Sequence, residues 1–261
     1  MSQTELSIAM TAFRREKWLK FYESILWSTK REFELIIVSP YHELPEELKQ
    51  YNNIIHVQDK GSPMRCAQRA ASLATGKVLN VLPADDGVYL PGAIDQGIDM
   101  LYSLGGKLKD VVSVQYLEGP KGQKIRQPRE YYQLNYHAAT RLKCIPDQWI
   151  GLNNGFLYTE YFKLLGGWDC RYETAPMGLA DLAIRIQRDK SNMMLADIML
   201  LDYDWFPGDT GDHKPIFDAQ TEHDEPLYQS IYEDGLDKLS IEIANSFSWQ
   251  NSPETWTRRI I

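Results

Sequence analysis

Val78-Leu79-Asn80-Val81-Leu82-Pro83-Ala84-Asp85-Asp86-Gly87-Val88-Tyr89-Leu90-Pro91 is the stretch on which the fold of this chain turns. Residues 78–82 read as a buried strand. Two adjacent carboxylates come next, then the chain turns at Gly87 and opens a helix near Leu90, after Pro91. Carboxylates at the carboxyl end of a strand face the crevice in which open α/β sheets bind ligands. A pair of hard oxygen donors there suits Mg²⁺ or Mn²⁺. The same spacing also fits a helix N-cap, because an Asp ahead of a first turn satisfies its free N–H groups.

Upstream, the alternation of strand and helix signals points the same way. Residues 6–11 alternate apolar and small side chains and read as a first strand, and Trp18, Leu19, Tyr22, Ile25 and Leu26 recur at helical spacing. The β-branched run 33–38 reads as a buried parallel strand, residues 54–57 as another, and 64–75 as an alanine-rich helix stopped by Gly76. Four such alternations in ninety residues predict a parallel sheet with helices on its faces, for which a nucleotide is the default ligand class. The turn after the first strand, Thr11-Ala12-Phe13-Arg14-Arg15, has neither G-x-G-x-x-G nor a Walker pattern. A dinucleotide-dependent dehydrogenase and a P-loop nucleotidase are therefore disfavoured, and a metal on Asp85 and Asp86 becomes the candidate for managing a diphosphate.

Composition narrows the class further. Across 261 residues, 28 Lys and Arg face 36 Asp and Glu, a net charge of −8. Such an acidic chain makes a poor non-specific nucleic-acid binder. Cys66, Cys144 and Cys170 are odd in number and widely spaced, so neither a disulfide framework nor a zinc site is implied. Residues 1–5 carry no secretory pattern, and no apolar run approaches the roughly 20 residues that span a bilayer. A cytoplasmic protein is expected, at most peripheral to a membrane; Trp256, Arg258 and Arg259 in the tail are a candidate membrane contact, with a docked or frayed end the preferred reading.

Downstream, residues 111–116 read as a strand and 118–144 as loops plus one helix. A turn and strand are expected at 149–158, a short helix at 160–165, and a longer helix at 179–190. On that last helix Leu179, Leu182, Ala183 and Ile186 form the apolar stripe, which leaves Asp181 in the first turn, off the core. Residues 193–196 and 198–203 read as one or two strands, 204–225 as a functional loop, and 227–247 as a helix. One domain is expected, with a nucleotide-binding half at 1–88, an acceptor-binding half at 89–203, and a loop and C-terminal helix at 204–261.

Four separated features together resemble the family 2 glycosyltransferases of the GT-A fold: the turn through Thr11 to Arg14, the strand ending in Asp85-Asp86, the Asn154-Gly155-Phe156 turn, and Gly166-Gly167-Trp168-Asp169 leading to Asp181-Leu182 and Arg185. The resemblance implies a Rossmann-like mixed, mostly parallel sheet flanked by helices. It also implies an inverting enzyme that moves a sugar from a nucleotide-diphosphate donor to a glycan or related hydroxyl acceptor, with Mn²⁺ or Mg²⁺. By that resemblance Asp86 and Asp85 hold the cation, with His213 or its rival His223 as a further ligand. Thr11, Phe13, Arg14, Ser39 and Arg65 join them in donor binding; Trp149, Asn154, Trp168 and Asp169 line the acceptor side; and Asp181 is the general base. The family's pattern is altered at three points: Pro83 stands in the first acidic slot of its D-x-D motif, Ser39 where an Asp often reads the base, and Ala180 before the base. Two other functions fit the same residues. A non-catalytic nucleotide-sugar or glycan-binding module explains the three departures, and a sugar nucleotidyltransferase shares the carboxylates. On residues alone, Asp181 reads first as an exposed i,i+4 partner of Arg185, and only the resemblance puts the base role ahead.

Overall fold

The computed structural model describes residues 4–120, 123–136, 140–203, 212–237 and 241–259. Its strands are β1 (Leu6–Thr11), β2 (Phe33–Ser39), β3 (Ile54–Gln58), β4 (Val78–Val81), β5 (Gly87–Tyr89), β6 (Asp110–Glu118), β7 (Ile125–Arg126), β8 (Gly155–Tyr158) and β9 (Asn192–Tyr203). They form one sheet in the order β3-β2-β1-β4-β8-β6-β9-β5, with β7 paired to β6. From β3 to β4 every pairing is parallel, then β8 runs antiparallel to both β4 and β6. The expected α/β class, a mixed sheet flanked by helices, is what the chain adopts. The long apolar runs are explained by burial on both faces: β2 from Leu35 to Val38 is wholly inaccessible.

The helices are α1 (Trp18–Ser28), α2 (Pro63–Ser72), α3 (Ala93–Ser103), α4 (Thr159–Leu164), α5 (Ala175–Arg188), α6 (Lys214–Ala219), α7 (Glu225–Tyr232) and α8 (Ile241–Ser246). β1 lies between β2 and β4, so the chain winds one way from β1 to β2 and the other way from β3 to β4. Right-handed crossovers then put α1 and α2 on opposite faces. Consistently, α1 packs with α3, and α2 with α5. The reversal opens a crevice beyond the carboxyl ends of β1 and β4, which brings the Thr11–Arg14 turn beside Asp85 and Asp86.

Several local expectations are corrected. The helix after Pro91 starts at Ala93, with Gly92 in the left-handed conformation at its N-cap, and β5 separates it from the aspartates, so neither Asp85 nor Asp86 caps it. On α1, Leu26 is exposed while Phe21 is buried, because the helix turns its Trp18-Phe21-Tyr22-Ile25 face to the sheet. Between 118 and 144 the described residues hold only β7 and a 3₁₀ turn at Arg129–Tyr132, where an α-helix was expected.

α5 begins at Ala175, four residues early, since Pro176 sits in its first turn, where a missing N–H costs nothing. Asp181 is therefore in the second turn. The predicted loop is helical from Lys214: α6, a π-helical turn (Gln220–Asp224) and α7 run on, with Pro215 and Pro226 again in first turns. Trp205, Pro207, Gly208 and Gly211 of that loop lie outside the described residues. The helix predicted over 227–247 is divided into α7 and α8, with Gly235 at φ +127° between them. No helix among the described residues is long and apolar enough to cross a membrane.

Candidate functional site

The two aspartates leave β4 through a strained turn. Leu82 has φ +37°, a conformation that costs a non-glycine residue roughly 1–2 kcal/mol. The strain persists because Asp85, three residues on, is held tightly. Asp85 Oδ2 accepts the N–H groups of Phe13 and Arg14, each at 2.5 Å, and the Trp18 indole at 3.3 Å; Oδ1 accepts the Arg14 guanidinium at 2.8 Å. These four donors occupy about the four acceptor sites of an ionised carboxylate. Asp85, expected among the metal ligands, is instead committed to pinning the β1 turn. Gly87 is required just beyond, because a Cβ there would lie within 3 Å of the Tyr203 ring (2.8 and 2.9 Å).

Asp86 is 6% exposed and faces outward from the same turn, with Oδ2 3.5 Å from His213 Nε2 and 3.9 Å from the Arg14 guanidinium. Arg14 reaches across to Asp212 (Nε to Oδ2, 2.7 Å) and to His213 Nε2 (3.0 Å). Burial opposes the Arg14 charge, but Asp86, Asp85 and Asp212 outweigh it and its proton is held more tightly than usual. Burial likewise pushes the Asp86 pKa up, and His213 and Arg14 reverse the effect, so its carboxyl sits below the ordinary 3.8. Three segments far apart in sequence thus build a place where positive charge is stable. His213 reaches it. His223 is engaged with Asp224, 2.8 Å away, and Asp224 holds the N–H groups of Glu173 and Thr174. Asp212 was not foreseen; its adjacency to His213 was the available signal.

Among the described residues no group of three His, Cys, Asp or Glu side chains is disposed to hold a metal ion. The donors near one another are an oxygen on Asp86 and Nε2 of His213, the latter now accepting from Arg14 at 3.0 Å; with that bond released the pair fits Mn²⁺ when a diphosphate and water complete the shell, whereas Mg²⁺ would rest on Asp86, the diphosphate and water alone.

The other expected residues divide between wall and frame. Thr11 and Phe13 line a cavity of about 280 Å³ at the carboxyl ends of β1, β2 and β3. Ser39 is fully buried, its hydroxyl 2.9 Å from His56 Nε2, and its neighbour Pro40 lines the cavity instead. Arg65, expected to touch the donor, is buried and bonded to Asp59 at 3.0 Å and to the Ser252 carbonyl at 2.6 Å. It is a strut because its planar fork is filled on both sides. Asn154, fully buried, accepts from Asn80 at 3.0 Å and donates to the Tyr203 hydroxyl at 3.3 Å. Trp149 is half-buried, and Trp168 is a core residue edge-on to Phe162 at 5.5 Å. Asp169 is fully buried and clamped by Arg171.

Asp181 departs most from expectation. It is 0% exposed; Oδ1 accepts the Tyr232 hydroxyl at 2.6 Å, and Oδ2 accepts Arg185 Nε at 2.9 Å and a second guanidinium nitrogen at 2.8 Å. Arg185 also donates to the carbonyls of Leu165 (2.6 Å) and Gly167 (2.7 Å). α5 is buried nearly all round, so the helix has no off-core face at this position. Burial raises the Asp181 pKa, with Asp169 adding to it and Arg185 opposing. In this arrangement no acceptor hydroxyl reaches the carboxylate, which ties α5 to α7 and to the Gly166-Gly167 turn.

No protein-family model matches the sequence. Neither does any curated protein. The fold, however, is similar to the crystal structure of GalNAc-T7 with UDP, GalNAc and Mn²⁺, with a TM-score of 0.61 and 12% sequence identity over 96% of this chain. The chain spans about half (55%) of that structure. The fold is thus of the GT-A type, the fold that the four sequence features together imply.

Proposed function

We propose that the protein is a glycosyltransferase that binds a nucleoside diphosphate sugar in the crevice between β1 and β4 and transfers the sugar to a hydroxyl acceptor. The observation that carries this reading is the convergence of Arg14, Asp86, Asp212 and His213 next to Phe13 and Arg259, two of the residues that line the 280 Å³ cavity. A diphosphate departs with negative charge developing on its bridging oxygen, and fixed positive charge nearby lowers that barrier most effectively where water is excluded. Arg14 already supplies one such charge and keeps it at any physiological pH. Asp86 and His213 would hold a divalent cation, which when bound neutralises the departing diphosphate. Asp85 fixes the backbone of Phe13 and Arg14, so the guanidinium is oriented before the donor arrives. UDP and Mn²⁺ accompany the similar GalNAc-T7 structure, which makes them the first donor nucleotide and cation to test. Membership of family 2 rests on the four sequence features alone.

The inverting course depends on Asp181 as the base, and the burial of that carboxylate gives it no support. A nucleotide-sugar-binding module without chemistry is favoured by the same observation. One experiment separates the readings: incubation with a panel of UDP-, GDP- and ADP-sugars in Mn²⁺, with nucleotide release measured and the product anomer read by NMR. Turnover of a donor establishes transfer or hydrolysis, and the anomer assigns the course; UDP binding without turnover of any donor selects the module; neither binding nor turnover removes both.

A further inference from the structure

The C-terminal residues 249–259 do more than end the chain. Trp249 lies over the guanidinium groups of Arg65 and Arg69, at 5.3 and 4.8 Å. The Trp256 N–H donates to the Lys60 carbonyl at 2.7 Å, next to a parallel bridge between Lys60 and Thr255. The Trp256 indole donates to Glu173 at 2.9 Å, and Arg258 joins Glu173 at 2.7 Å and Glu222 at 2.6 Å. Arg259 then stacks 4.1 Å from the Phe13 ring centroid and donates to the Asp212 carbonyl. The tail is a docked strap, one of the two endings favoured for it over a membrane contact, and it joins the β1 turn to the segment that carries His213.

Trp256 and Arg259 line the 280 Å³ cavity together with Thr11, Phe13, Pro40 and Asp59. Small-molecule sites run from roughly 300 to 1,000 Å³, so this space suits a nucleoside rather than a whole nucleotide sugar. Its lining includes two aromatic rings, Phe13 and Trp256, two prolines, Pro40 and Pro63, and the Arg259 guanidinium, side chains of the kinds that stack on planar bases. Arg14 follows the cavity-lining Phe13 directly and its guanidinium is 3.9 Å from Asp86, so a diphosphate extending from that nucleoside has these charged groups within reach.

We propose that the strap 249–259 is the outer wall of the nucleoside subsite, that Arg259 and Trp256 determine nucleotide affinity from it, and that nucleotide binding and strap docking are coupled. The proposal rests on the nucleotide-donor reading above. Reciprocity requires that a nucleotide tighten the strap by the factor by which the strap tightens the nucleotide.

The test is isothermal titration of wild type and Arg259→Ala with UDP and with inorganic pyrophosphate in Mn²⁺ buffer, alongside amide exchange over 249–259. Arg259→Ala is expected to weaken UDP about tenfold and pyrophosphate by less than about threefold. In wild type, UDP is expected to slow exchange of the Trp256 amide. Equal UDP affinity in both proteins, an equal loss for both ligands, or strap exchange unmoved by UDP would each overturn the coupling. Wild type that binds no nucleoside diphosphate sinks the donor reading itself, whereas UDP binding indifferent to Arg259 sinks only the strap.

Discussion

Replacing Asp181 by Asn tests whether this carboxylate is a structural tie or a catalytic base. The substitution keeps the shape and leaves one oxygen to accept the Tyr232 hydroxyl, but it removes the charge opposite Arg185. Arg185 is 3% exposed and would retain only two carbonyl partners, Leu165 and Gly167. Breaking a buried pair from one side costs about 3–5 kcal/mol, because an uncompensated charge stays in the core. At roughly 2–4 °C of Tm per kcal/mol for a domain of this size, the expected fall is about 6–20 °C. The double change Asp181→Leu with Arg185→Met should recover much of the loss, since apolar replacement of both partners leaves no orphaned charge. The assay is thermal unfolding by circular dichroism, run beside donor turnover. A Tm within about 2 °C of wild type, with transfer abolished, would refute the structural account and restore Asp181 as the base.

The same geometry sets three further outcomes. Asp85→Ala strands the Phe13 and Arg14 N–H groups and the Trp18 indole, at roughly 1–3 kcal/mol for each donor left buried without a partner, so urea unfolding should show a loss of at least about 2 kcal/mol and UDP affinity should fall with it. Burial pulls the Asp59 carboxyl up, but hydrogen bonds from Arg65, the Gly61 N–H and Arg69 hold it below its ordinary 3.8; its contribution is present above pH 3.8 and disappears as pH falls through the lowered folded value, so Tm measured from pH 6 to pH 3 should drop more steeply in wild type than in Asp59→Asn. Gly97→Ala drives a methyl group into the buried Phe156 ring and should cost about 1–3 kcal/mol in the same urea experiment, while Gly105→Ala, with open space around it, should cost only the strain of its φ of +120°.

The sheet was legible because β1, β2 and β4 are buried on both faces, which forces the apolar runs at 6–11, 33–38 and 78–82; the edge strand at 54–57 is only partly buried and was read from its β-branched residues, and all four fall within a residue or two of the observed bounds. Asp85-Asp86 could be placed at the crevice for the same reason, since a strand that ends in carboxylates must deliver them beyond the sheet. What they do there was not legible. Asp85 acts through the N–H groups of residues 13 and 14, and the sequence carries no mark of a carboxylate's backbone partners. Asp181 misleads for a related reason: an Asp four residues before an Arg reads alike as an exposed pair or a buried one, and Tyr232, which decides the matter, lies 51 residues away. Proline misleads in the opposite direction. Pro176, Pro215 and Pro226 look like breaks, yet each stands in a first turn, where it favours the helix. That residues 249–259 dock is within what the sequence suggests, but where they dock is not, because their partners, Lys60, Glu173 and Phe13, are remote in sequence.

The claim on which the rest depends is that Asp86 and His213, beside Arg14, form the cation-assisted diphosphate end of a nucleotide site. Isothermal titration of UDP into wild type and Asp86→Ala, each in Mn²⁺ and in EDTA, tests it most directly. UDP is expected to bind wild type in Mn²⁺, and to bind at least about tenfold more weakly in EDTA and to the variant. Equal UDP affinity in wild type and Asp86→Ala, with or without Mn²⁺, would contradict it.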